Sequence, residues 1–127
     1  MSHTIKAGRL EFLVEQRDIG KDGGASVRVF GDVSGKRTQV LRFDCFRNDP
    51  HYHYAPDEHD VLMHLDPVTT GDPIAWTLER LRDFLPTMLH KASYDDLASS
   101  LDEPALRAAL PKLEAAMREP AAVRSLG

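Results

Sequence analysis

The chain has 127 residues, 42% hydrophobic and 28% charged, with a net charge of −4. That length predicts one domain over residues 1–127, able to bury roughly two-thirds of its unfolded surface. No apolar run approaches the roughly 20 residues that span a bilayer, and Cys45, the single cysteine, excludes an internal disulfide.

Residues 1–66 alternate with the period of two that marks strands. From Arg9 to Arg17, Leu10, Phe12 and Val14 share one face while Arg9, Glu11 and Glu15 share the other. D-I-G-K-D-G-G then supplies turn chemistry, because glycine accepts φ > 0 without a Cβ clash. Ala25 to Asp32 is the next strand, with Val27 and Val29 inward, and V-S-G-K makes the following turn. Arg37 to Phe46 is the longest strand, with Leu41, Phe43 and Cys45 facing the core. After a histidine-rich stretch, D-V-L-M-H-L-D forms a short strand with Val61, Met63 and Leu65 inward. A four- to five-stranded antiparallel β-meander is expected. Leu13, Phe30, Val40 and Phe46 fall on its second face, which predicts either a homodimer interface or cover from the chain's own helices.

Over residues 72–119 the period changes. Asp72-Pro73 opens a helix, with Asp as N-cap and Pro pre-set at the first helical position. Ile74, Leu78, Leu81, Leu85 and Met88 form its buried stripe. Pro86 predicts a bend or restart near Leu85. Ser93-Tyr94-Asp95-Asp96 has the spacing of a capping box and opens a short second helix. A third starts near Asp102, with Leu106, Leu110, Leu113 and Met117 buried and Pro111 threatening a kink. Residues 120–127 are expected to be a fraying tail. Strands first and helices last predict an α+β fold, with about three C-terminal helices packed on one face of the sheet.

Three of the six histidines crowd into N-D-P-H-Y-H-Y-A-P-D-E-H-D, residues 48–60. In extended backbone alternate side chains share a face, so His51 and His53 project together, about 6.6 Å apart at Cα from the strand rise. Two imidazoles at that spacing can converge on one ion, with Glu58 or His59 returning after the Pro56 turn as further ligands. Imidazole with carboxylate suits a divalent transition metal such as Zn, Fe or Mn. Two other readings stand beside this one. The histidines can serve a metal-free site as proton-transfer or hydrogen-bonding groups for a small-molecule ligand, or the stretch is a structural loop capped by Asn48 and Asp49.

The spacing in H-Y-H-Y-A-P-D-E resembles the first metal motif of cupins, which implies His51, His53 and Glu58 as ligands. The cupin fold is not expected, since Cys45 replaces the upstream glycine and the later sequence is helical. The string D-C-F-R-N-D-P-H-Y-H-Y, Asp44 to Tyr54, resembles a small uncharacterised bacterial family, which implies no particular activity.

Residues 1–47 carry nine Lys/Arg against six Asp/Glu, and residues 48–127 carry seven against fourteen. The basic residues are scattered among acids, without the dense stripe that neutralises phosphates, so nucleic acid is not an expected partner. The start M-S-H-T-I-K-A-G-R lacks a signal-peptide core, and the cysteine usage fits a reducing compartment, so the cytoplasm is expected. Two functions of different class follow: a small metal-binding protein, or a non-catalytic module that homodimerises through the mixed sheet face. No reaction is implied by either.

Overall fold

The computed structural model describes residues 2–120. Six strands pair in chain order as one antiparallel sheet: β1 (Ser2–Ala7), β2 (Leu10–Ile19), β3 (Asp22–Val33), β4 (Lys36–Phe46), β5 (His51–Tyr54) and β6 (Val61–His64). Four helices follow: α1 (Pro67–Thr70), α2 (Pro73–Lys91), α3 (Asp95–Ser99) and α4 (Glu103–Met117). The fold is α+β, a meander followed by helices.

The sequence pattern did not pick out β1 or α1. S-H-T-I-K-A offers only Ile5 as a large apolar residue, so β1 is fixed by pairing, with Ile5 opposite Phe12. α1 is a single turn, capped by Asp66 accepting from the Val68 amide at 2.9 Å. The expected fraying tail falls on residues 121–127, outside those described.

Two hairpin turns set the register of the long strands. Ser34 and Gly35 link β3 to β4 with both φ positive (53° and 82°), the primed geometry whose twist matches paired strands. Between β2 and β3 the turn is only Gly20-Lys21, because Ile19 already pairs with Asp22. Gly23 and Gly24, expected in that turn, instead lie inside β3. A Cβ on Gly24 would meet the Cys45 carbonyl oxygen at 2.3 Å, so glycine there lets β4 approach.

On one face, Phe12, Val14, Val27, Val29, Leu41 and Phe43 join Leu81, Leu85, Leu89, Leu106 and Leu113 of α2 and α4 in one core. Val40 belongs to this core and not to the second face. The register shifts between Val29 and Phe30, inserting one extra residue in β4, so Val40 and Leu41 are both fully buried. Phe30 and Phe46 do lie on the second face, each beneath a guanidinium, Arg37 over Phe30 at 3.7 Å and Arg17 over Phe46 at 5.9 Å.

α2 runs unbroken through Pro86, without the restart expected near Leu85, and α4 runs through Pro111. Leu85, Met88 and Leu89 pack on the sheet on both sides of Pro86, so tertiary burial carries the helix across one missing donor. The expected capping box at Ser93 is absent: Tyr94 is the N-cap of α3 and makes no side-chain cap bond. Ser93 closes α2 instead. With φ 72° it donates to the His90 carbonyl while the Tyr94 amide donates to Leu89, the two bonds of a Schellman motif.

Candidate metal centre

The second face of the sheet carries a polar row. Ser26 of β3 pairs with Asp44 of β4, Asp44 with His51 of β5, and His51 with His64 of β6. In the adjacent row Arg28 pairs with Arg42, and Arg42 with His53. All these side chains alternate with core-facing neighbours and so lie opposite the helices. Asp44 is nevertheless 2% exposed and Ser26 fully buried. Arg17, Arg42, His51 and His53 surround that carboxylate and supply the cover.

The two carboxylate oxygens of Asp44 differ. Oδ1 accepts from the Ser26 hydroxyl at 2.8 Å and from Arg42 Nε at 3.2 Å. Oδ2 lies 2.9 Å from His51 Nε2, 3.1 Å from Arg42 Nε and 3.7 Å from His53 Nε2, yet among the described residues no well-aligned hydrogen bond reaches it. The far nitrogens fix the tautomers. His51 Nδ1 lies 2.8 Å from the Asp49 carbonyl, which can only accept, so Nδ1 carries the hydrogen. His53 Nδ1 lies 2.7 Å from the Asp60 carboxylate and donates to it in the same way. In a neutral imidazole the remaining Nε2 is then a lone pair. Two lone pairs and one carboxylate oxygen without a hydrogen bond face each other, with the Arg42 guanidinium the one cation already beside that oxygen among the described residues, and an additional proton or a metal ion would satisfy them.

Asp44, His51 and His53 each offer a ligand atom, all within 4.8 Å of one another, and the group can hold a metal ion. A carboxylate or carbonyl behind each imidazole is the usual outer shell of a metal-bound histidine. The guanidiniums of Arg17 and Arg42 oppose a cation, at 3.7 and 3.1 Å from Asp44. With Asp49 and Asp60 included, three carboxylates face two guanidiniums, so the local charge before an ion enters is still negative.

The loop that delivers His51 is itself clamped. Asp22 accepts from the amides of Gly23 at 2.8 Å, Asn48 at 3.0 Å and Asp49 at 3.0 Å. Burial works against the Asp22 carboxylate, but these N–H groups and Arg47 outweigh it and hold its pKa below the usual value.

The family described as "Domain of unknown function (DUF7700)" matches residues 4–117. The chain belongs to this family. No curated protein and no solved structure matches it. In this DUF7700 domain Asp44, the first residue of the string that resembles an uncharacterised family, is the buried anchor of the cluster.

Of the four residues singled out from the sequence, the fold brings His51 and His53 together, their ring centroids 5.4 Å apart. Glu58 and His59 lie exposed in the turn between β5 and β6, outside the group. Glu58 sits beside Tyr94 instead, whose phenol is pushed up to about 12 by burial and then by that carboxylate. Asp44, Asp60 and Asp22 were not singled out, and Asp49 only as a cap of the loop. Their signal was the short link Arg47–Pro50: a tight turn folds β5 back so that Asp44 meets His51. Cys45 faces the core, 6% exposed, and burial raises its thiol to about 12, so it is not a reactive nucleophile. Among the described residues no helix is long and apolar enough to cross a membrane.

Proposed function

We propose that this protein binds a divalent transition-metal ion through Asp44 Oδ2, His51 Nε2 and His53 Nε2. The observation that supports this most strongly is the buried Oδ2 of Asp44, which has the charge of Arg42 nearby but no hydrogen bond, facing two imidazole nitrogens whose other ring nitrogens are already committed. A single proton satisfies the 2.9 Å pair with His51 but leaves His53 Nε2 at 3.7 Å unused. One ion satisfies all three. Two imidazoles and a carboxylate suit Zn, Fe or Mn, and three protein ligands leave room for a water or a substrate atom on the ion. His64, 62% exposed and 5.9 Å from the His51 ring, stands on the open side of the cluster.

Elemental analysis of the purified protein tests this, with about one ion per chain expected for a structural or catalytic site. His53→Ala removes a ligand that is only partly buried and abolishes the bound metal. Asp60→Asn leaves the ligands but weakens their orientation, lowering metal affinity roughly 10–100-fold. Glu58→Ala and His59→Ala leave the metal content unchanged. Metal-free wild-type protein that also fails to take up Zn, Fe or Mn on addition would instead favour a proton shared between Asp44 and His51.

A further inference from the structure

β5 presents its histidines to one side and its tyrosines to the other, and the tyrosine side opens into a cavity of about 350 Å³. Tyr52, Tyr54, Trp76 and Phe84 line it with Arg80 and Lys91. Tyr52 and Trp76 meet at 5.3 Å between centroids, inclined by 41°. Arg80 lies over Trp76 at 4.7 Å and over Phe84 at 5.2 Å, and Lys91 Nζ lies 5.4 Å from the Tyr54 ring. On α2 the positions 76, 80, 84 and 91 form a stripe beside the one that enters the core.

Three features suit this cavity to an occupant. Its size lies in the range of small-ligand sites, and its walls are aromatic planes. Phe84 is 44% exposed, a large apolar surface left uncovered within a concave site. The lining carries two cations and no carboxylate. Arg80 is paired at 2.6 Å with Glu79, a half-exposed residue outside the lining. Lys91 has only its ring contact, with no carboxylate partner among the described residues. Burial, and then the neighbouring Tyr52 hydroxyl, raise the Tyr54 phenol above its usual range, which keeps it an O–H donor at neutral pH.

We infer that this cavity binds a small planar ring bearing an anionic group, with the ring resting against the wall formed by Tyr52, Trp76 and Phe84 and the anion facing Lys91 and Arg80. A neutral ring would gain only the stacking, and a cationic one would be repelled by both side chains. Planar stacking with a nearby cation is the chemistry that recognises aryl carboxylates and aryl phosphates alike. The site is separate from the metal centre, so neither depends on the other.

Trp76 is the only tryptophan, so emission excited selectively in tryptophan reports on this cavity. Benzoate and phenyl phosphate titrated into the full chain are expected to change its emission saturably, the tighter of the two identifying the acid group. Benzamide, the neutral isostere, should bind about tenfold more weakly, and benzylammonium weaker still. Lys91→Glu, at an exposed position that does not threaten folding, should erase the preference for anions. The inference is overturned if no anionic ring saturates, if benzamide matches benzoate, or if Lys91→Glu leaves the ranking intact.

Discussion

Asp44 and Asp22 are carboxylates on the neighbouring strands β4 and β3, and their surroundings assign them different work. Asp44 is buried, with one oxygen satisfied by Ser26 and Arg42 and the other facing imidazole nitrogens. A buried carboxylate oxygen without a hydrogen bond costs on the order of 1–3 kcal/mol; the Arg42 guanidinium 3.1 Å from Oδ2 offsets part of this, and a bound metal ion would offset the rest. Asp22 is saturated by backbone amides and holds the Arg47–Pro50 link in place. Its folded pKa lies below the usual 3.8, so its contribution is fully present above that value and is lost as pH falls through the lower folded one. Melting temperatures of the wild type and of Asp22→Asn should therefore differ by a constant amount near neutrality and converge only below 3.8. Convergence already between about pH 7 and pH 5 would show that another group controls the loop.

At the scale of elements, local sequence grammar succeeded where a single residue decides the geometry. Asp72 and Asp102 cap α2 and α4, as the Asp72-Pro73 pair and the expected start near Asp102 implied, each accepting from an amide of the first turn. The grammar failed where packing outweighs propensity, as in the restart allowed at Pro86, which α2 does not make, or where one extra residue shifts the register, as at Val40. Ser93 shows a position whose residue type and conformation disagree. Its φ of 72° is a left-handed value that a Cβ disfavours by roughly 1–2 kcal/mol, and no hydrogen bond of its hydroxyl compensates among the described residues. Ser93→Gly is expected to stabilise the protein by about 0.5–1 kcal/mol, a rise of a few degrees in Tm, once the larger entropy of glycine in the unfolded chain is subtracted. A lower Tm for this variant would mean that the serine side chain contributes to the closure of α2.

Across the whole molecule, the α+β order of strands and helices was legible because the hydrophobic period changes once, between the sheet and α2. Half of the candidate centre was legible too, since H-Y-H on one strand places two imidazoles on one side whatever the remaining fold does. Its carboxylate was not, because Asp44 reaches His51 only through the pairing of β4 with β5, a long-range fact that residue spacing does not state. Glu58 was the nearer choice in sequence, and the turn carries it to Tyr94 instead. The central claim is that the Nε2 atoms of His51 and His53 meet one ion beside Asp44. Long-range nitrogen–proton NMR of the imidazole rings, recorded on metal-stripped protein before and after one equivalent of Zn, tests it most directly. His51 and His53 should both keep the hydrogen on Nδ1 and show metal-bound Nε2 shifts, while His59 and His90 stay unchanged. Unaltered His51 and His53 resonances, or zinc-induced shifts confined to other histidines, would contradict it.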